Sequence, residues 1–182
     1  VVLITGAGGS IGSEISRQVV KHKASKVILL DSNEYSLFTI KNEIKQMNSS
    51  SEIYSVLGNV TNKKRIMDVL SAFEVQTVYH AAAYKHVSIV EENPFEAVFN
   101  NILGTKICVN SAIETKVETF VLISTDKAVR PTNIMGATKR FAELILQSLA
   151  KQTKTKITMV RFGNVIGSSG SAIPLFQKQI RE

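Results

Sequence analysis

The sequence predicts a doubly wound α/β fold built on a parallel sheet, and three observations carry that expectation. Six short runs, "VVLIT" (1–5), "KVILLD" (26–31), "EIYSVLG" (52–58), "TVYHAA" (77–82), "TFVLIS" (119–124) and "ITMVRF" (157–162), alternate with segments long enough for helices. The runs are β-rich and almost continuously apolar, as strands are when both faces of a parallel sheet are covered. A glycine-rich turn, "TGAGGSIGSE" (5–14), stands between the first strand and the first helix-like segment. Right-handed crossovers then wind the chain about both faces of the sheet.

The 182 residues suit one domain, and 44% apolar with 20% charged residues is ordinary for a globular protein. No run approaches the roughly 20 apolar residues of a membrane-spanning helix, nothing resembles a signal peptide, and no membrane contact is expected of this chain. The single cysteine, Cys108 in "TKICVNSA", excludes an internal disulfide and reads as part of a buried helix face. The net charge of +7 comes from lysines scattered singly, as in "VVKHKASK" (19–26) and "KQTKTK" (151–156). That pattern is a solvated basic face and not a nucleic-acid site, although the field helps gather an anionic small molecule. Val1 already lies inside the first strand, and "GSSGSAIPLFQKQIRE" (167–182) stops as a further segment opens. The expectation is one nucleotide-binding domain spanning residues 1–182, truncated at both ends relative to a larger parent.

Taken in order, the strand ends build a dinucleotide site. After the first strand, Gly6 permits the tight turn, Gly9 lets the backbone approach a pyrophosphate, and Gly12 lets the helix pack close to the sheet, with Ser10 and Ile11 at the helix start. The second strand ends in "LLDSNEY" (29–35), which places Asp31, followed by Ser32, where an acidic residue takes the ribose hydroxyls of NAD. A 2′-phosphate would be repelled there, so NAD is favoured over NADP; an Asp at this point also suits a cap for the next helix. Asn59 and Val60 in "GNV" close the third strand, where an adenine would lie, and Ala81, Ala82 and Ala83 in "HAAAYKH" (80–86) leave room beside the fourth. His80 and His86 have no Cys or carboxylate at ligand spacing, so no metal is expected. The fifth strand ends in "STDKAVRP" (124–131), where Asp126 and Lys127 supply an acid and a base or a surface ion pair. The next helix opens in "RPTNIMGATKRFAE" (130–143), with Met135 and Lys139 four residues apart on it.

Together, "TGAGGSIGSE", "HAAAYKHV", "NNILGT", "STDKAVRPTNIMGATK" and "VRFGNVIGSSGSAIPLF" resemble the extended short-chain dehydrogenase/reductase superfamily, a Rossmann-like NAD(P)-binding fold. Within it the chain is similar to the CapD-like nucleotide-sugar 4,6-dehydratases of polysaccharide biosynthesis, which act on UDP-N-acetylglucosamine. The resemblance implies hydride removal from sugar C4, proton removal from C5, loss of water from C6, and return of the hydride to C6. It implies Asp126 as the acid at C6, Lys127 as the base at C5, and Thr125 as a hydrogen-bond partner near the C4 oxygen. Lys139 would bind the nicotinamide ribose, and Asn101 in "NNILGT" would lie close to the cofactor. Lys85, His86, Met135 and Asn164 fall in blocks that face substrate or cofactor. Met135 marks a departure, since a Tyr there commonly deprotonates the C4 hydroxyl; a large membrane-anchored subgroup is similar to this chain in carrying Met. The C4 base is then Asp126, Lys127, a water relayed through Thr125, or Tyr84. The parent is expected to be a homo-oligomer acting in the cytoplasm, anchored at the inner face of the membrane if it follows that subgroup. Because the smaller C-terminal substrate portion is largely absent, the isolated chain is expected to bind NAD and turn over poorly. The alternatives are a nucleotide-sugar 4-epimerase and a catalytically silent NAD-binding domain.

Overall fold

The structure, a computed structural model, describes residues 1–47, 50–163 and 165. Six strands, β1 (Val2–Thr5), β2 (Lys26–Asp31), β3 (Glu52–Leu57), β4 (Thr77–His80), β5 (Thr119–Thr125) and β6 (Lys156–Phe162), form one parallel sheet in the order β3-β2-β1-β4-β5-β6. The chain winds from β1 outward to β3, crosses back, and winds the other way to β6. The strand order therefore reverses between β1 and β4, and ligands of such sheets sit at that reversal, beyond the carboxyl ends of the strands.

The apolar runs follow from two-sided burial. In β2, Val27 and Leu29 join one core cluster with Ile4, Leu37 and Ile40, while Ile28 and Leu30 join another with Leu3, Val109 and Phe120. Each face takes every second residue, so an unbroken apolar run is what a central strand needs. Burying each such side chain contributes roughly 1.5–3 kcal/mol. Helices α1 (Ser10–Lys21) and α2 (Glu34–Gln46) cover the first face, and α3 (Lys63–Ala72) lies on the second. Cover on both faces holds for the central strands and fails at the edges, where Leu57 of β3 is 51% and Val160 of β6 is 46% exposed.

The crossover from β4 to β5 is one continuous path through α4 (Val87–Glu92), α5 (Pro94–Ala97), a π-helix (Val98–Gly104) and α6 (Thr105–Glu114). Cys108 is buried on α6, and burial pushes its thiol pKa up. A 3₁₀ turn (Asp126–Ala128) and α7 (Ile134–Ala150) connect β5 to β6. Asn33, Asn62 and Asn133 start α2, α3 and α7, each side chain accepting from the backbone N–H three residues on. Among the described residues, no helix is long and apolar enough to cross a membrane.

The start of α1 is held by a close contact. A Cβ at Gly12 would stand 1.9 Å from the Gly6 carbonyl oxygen, so the first turn of α1 rests directly on the loop leaving β1. Gly12→Ala is expected to destabilise the chain by roughly 1–3 kcal/mol, the usual cost of overpacking. It also tilts the helix start away from the loop, so calorimetric titration should show dinucleotide binding weakened beyond what the shift in thermal midpoint accounts for.

Candidate functional site

The glycine loop and the loop after β4 face each other across the reversal point. They enclose a largely apolar cavity of about 540 Å³, lined by Gly6, Gly9, Ser10, Ile11 and Gly12 on one side and by Ala81, Ala83, Tyr84, Lys85 and His86 on the other. Gly6 has φ +67°, a left-handed conformation. Ala82 lies beneath it, with its backbone nitrogen 2.7 Å from where a Gly6 Cβ would be. The N-cap of α1 is Gly9, which has no side chain with which to cap the helix. The helix therefore presents backbone N–H groups and its positive dipole end to whatever anion lies in the crevice.

Asp31 is fixed at the edge of this loop. Its Oδ2 accepts from the Gly8 N–H at 2.8 Å and its Oδ1 from the Asn33 N–H at 2.9 Å. The cap of α2 is Asn33 and not Asp31. Each carboxylate oxygen has a second lone pair with which to accept a ribose hydroxyl. Ser32 and Asn59 are exposed near the same strand ends, and the Asn59 Oδ1 accepts from the N–H and hydroxyl of Thr61. Val60 is 4% exposed, with its side chain packed in the core, which leaves its backbone to face the end of β3. The fit to a dinucleotide is thus a glycine loop closely packed on its neighbours, a helix whose N-cap is a glycine, and a carboxylate fixed at the end of β2.

A line of buried polar groups joins this glycine loop to α7. His80 lies between Thr5 and Thr105, with Nδ1 2.7 Å from the Thr5 hydroxyl and Nε2 3.0 Å from the Thr105 hydroxyl. Thr105 spends its own proton on the Asn101 carbonyl at 2.7 Å, so His80 donates from Nε2 and accepts at Nδ1. Burial, helped by the charge of Lys139, lowers the His80 pKa to about 3 and keeps the ring neutral. Asn101, on the π-helix, accepts from the Tyr84 N–H and donates to the Tyr84 carbonyl and the Thr138 hydroxyl. Its amide is wholly occupied and 1% exposed, so it shapes the Ala81–His86 loop and offers no open group to a cofactor.

The third part lies where β5 meets α7. Asp126 is exposed, and its Oδ1 accepts from the Thr125 hydroxyl at 2.9 Å and from Lys127 Nζ at 3.2 Å. Those two hydrogen bonds, Thr125 first, lower the Asp126 pKa, so it rests as a carboxylate. Gly163, just past β6, brings its backbone close to the Asp126 Oδ2. Lys139 is 6% exposed and donates to the Ile123 carbonyl at 2.6 Å. Burial lowers its pKa to about 8, against the upward pull of Glu143. A Cβ at Gly136 would lie 2.3 Å from the Lys127 carbonyl oxygen, so α7 starts hard against the Thr125–Lys127 turn.

Met135 corrects a sequence-based expectation. It is 4% exposed and packed with Val90 and Ala97 under α4 and α5, withdrawn from contact with a substrate. Lys85 and His86 are exposed at the cavity rim, where a substrate group can reach them. Asn164 lies outside the described residues. Gly136, Thr138, Ser124, Glu143 and Arg161 also stand in this region, and of them only the glycine in the second position of "MGATK" carries a visible signal in the sequence.

A family model described as "Polysaccharide biosynthesis protein" matches residues 2–182. The capsular polysaccharide biosynthesis protein CapD of Staphylococcus aureus is 55% identical over 98% of this chain and 30% of its own length. A UDP-N-acetylglucosamine 4,6-dehydratase (inverting) of Campylobacter jejuni is 33% identical over 100% of this chain and 54% of its own. The chain thus spans about half, or less, of the curated relatives it matches. The solved structure of a double mutant of the Streptomyces venezuelae dTDP-glucose 4,6-dehydratase DesIV, with NAD bound, aligns with a TM-score of 0.87 at 20% identity. It covers 100% of this chain and 62% of that one, and shows a shared fold.

Gly136→Ala is expected to cost roughly 1–3 kcal/mol by overpacking, and a crystal structure of the variant should show α7 displaced from the Lys127 carbonyl. Lys139 gives a pH signature. Its folded pKa of about 8 lies below the ordinary 10.5, so between those values the unfolded chain holds the proton more tightly. Stability contributed by this group therefore rises with pH across that interval. Urea midpoints of the chain and of Lys139→Met, compared from pH 7 to 10.5, should show the lysine protein gaining up to roughly 3 kcal/mol on the variant.

Proposed function

The chain belongs to the polysaccharide biosynthesis protein family, and from that membership we propose that it is the dinucleotide-binding part of an NAD-dependent 4,6-dehydratase. Its substrate is a UDP-N-acetylhexosamine, UDP-N-acetylglucosamine foremost, and its product a 4-keto-6-deoxy sugar for surface glycans. The observation that carries the reading is Asp126, an exposed carboxylate held by Thr125 and Lys127 at the mouth of the sheet, with the buried Lys139 on the adjoining helix. The name of the Campylobacter relative and the NAD of the DesIV structure support the same reaction and cofactor.

Gly6, Gly9 and Gly12 would hold NAD, which when bound would supply a reversible hydride acceptor that the reaction does not consume. The chain's own groups manage binding and protons. The α1 start holds the pyrophosphate, Asp31 the adenosine ribose, and Lys139 the nicotinamide ribose. Lys85 and His86, at the rim, stand towards the sugar nucleotide. Asp126 begins ionised and so serves first as the base for the C4 hydroxyl. Once the C4 keto group makes the C5 proton acidic, Lys127 removes it. Asp126 then gives the proton it took to the C6 oxygen, which leaves as water, and Lys127 gives its proton back to C5 in the closing reduction. One carboxyl thus carries one proton from C4 to C6, and a tyrosine at position 135 is unnecessary. Met135, packed under α4, keeps a structural role.

The test is product mass spectrometry on the whole protein supplied with UDP-N-acetylglucosamine. Loss of water with the wild type supports dehydration, whereas an unchanged mass with a new sugar epimer would overturn it in favour of 4-epimerisation. Asp126→Asn should cut turnover by about 10²–10⁴, the usual worth of a positioned proton-transfer group, and Lys127→Ala should stop the reaction after C4 oxidation. Met135→Tyr should leave the Asp126 dependence intact; an Asp126→Asn enzyme with wild-type rate would end the single-carrier proposal.

A further inference from the structure

We propose that Glu143 is the positioning residue of this site: its buried carboxylate ties α7 to the ends of β5 and β6, and thereby holds Lys139 and the Thr125–Lys127 turn in place. Glu143 is 0% exposed and sits one helical turn after Lys139, on the same side of α7. Its Oε1 accepts from the Ser124 hydroxyl at 2.7 Å and from Arg161 Nε at 2.7 Å; its Oε2 accepts from Arg161 Nη2 and, at 3.0 Å, from Arg140 Nη1. Ser124 directly precedes Thr125, and Arg161 is its register partner on β6. Three elements therefore meet on one side chain immediately behind the Thr125–Lys127 turn.

Stability alone is a poor account of this arrangement, because a buried ion pair often gains little over apolar residues of the same volume. The carboxylate does have electrostatic work beside it. Burial opposes its charge, but hydrogen bonds from Arg161, Ser124 and Arg140 outweigh burial and bring its pKa down to about 2, so it is ionised at any working pH. Its charge acts on the Lys139 amine in the direction that keeps the proton there.

The remaining groups around the lysine do not replace it. From β4 comes His80, which is neutral, and from β5 the Ile123 carbonyl and Ser124; the π-helix carries no ionisable side chain. From β6 comes Arg161 and from α7 itself Arg140, both cations. Asp126 and Lys127 pair with each other on the 3₁₀ turn. Glu91 of α4 accepts the Ile134 N–H at the helix start, and Glu96 of α5 and Lys106 of α6 are exposed.

The roles given to Lys139 and Asp126 rest on the dehydratase reading, but the test needs no sugar. Lysine side-chain ¹³C NMR of the unliganded chain, with the Lys139 signal assigned by its loss in Lys139→Met, follows the amine directly. Glu143→Gln should move its transition towards acid by about one pH unit or more, the effect of losing one opposite charge at close range, and Glu143→Asp should restore most of it. NAD affinity should then fall off at correspondingly lower pH in Glu143→Gln. A Glu143→Gln protein that melts earlier while Lys139 titrates where it did would overturn the proposal and leave Glu143 a structural residue. Should that variant not fold, Ser124→Ala tests the tether. Amide hydrogen exchange across Asp126–Ala128 should quicken about tenfold, the worth of one buried hydrogen bond, and Ser124→Thr should bring it back; unchanged exchange overturns the tether. Failure of dehydration with a displaced titration removes the enzymatic reading and leaves the coupling standing.

Discussion

The burial of one amine organises the working end of this protein. A lysine ammonium taken out of water is costly unless polar partners surround it. Lys139 meets that demand with a hydrogen bond to the Ile123 carbonyl, and the charge of Glu143, one turn along α7, favours its protonated form. Glu143 in turn is tolerable inside only because Ser124 and two arginines saturate it. Each partner belongs to a different element, so β5, β6 and α7 cannot shift independently without exposing an unpaired charge. Lysine at position 139 thus brings with it the placement of the exposed triplet that follows Ser124.

The opposite wall of the crevice is built by neutral hydrogen bonds. Thr5, His80, Thr105 and Asn101 pass from β1 to the π-helix, and Asn101 clasps both backbone groups of Tyr84. A neutral histidine suits this place, since a second cation beside Lys139 would be repelled. The charged wall and the neutral wall meet at Thr138, which receives a hydrogen bond from Asn101 and precedes Lys139 in the chain.

The strands and the glycine loop were legible because each is a local pattern with a local cause. Alternation within "KVILLD" is hidden by two-sided burial, but the unbroken apolar run is itself the mark of a central strand. Asp31 was found by its distance from the glycines. The polar clusters were not legible, because they depend on tertiary pairing. Glu143 in "FAELILQ" looks like any helix carboxylate, and Arg161 alternates along an edge strand as a surface residue would. The resemblance sets Asn101 near the cofactor, and what it could not give is the hydrogen bonding by which Asn101 holds the Tyr84 loop of the cavity. Met135 was expected to face a ligand because a tyrosine elsewhere does, and the short helices α4 and α5, whose packing no periodicity in "VSIVEENPFEA" announces, cover it instead.

The π-helix at Val98–Gly104 has a bearing on how this molecule can vary. A π-turn carries more residues per turn than an α-helix, so the residues before and after it are out of step by an amount a continuous α-helix would not allow. Here that offset lets Asn101 point at Tyr84 while Thr105 reaches His80 and Cys108, Val109 and Ala112 stay in the core. Removing one residue from the turn would restore an ordinary helix and rotate its two halves by about 100° relative to each other. Either the core face or the clasp would then be lost. The irregular stretch works as a phase setting between the packed core and the Asn101 clasp, so its length matters as well as the side chains it carries.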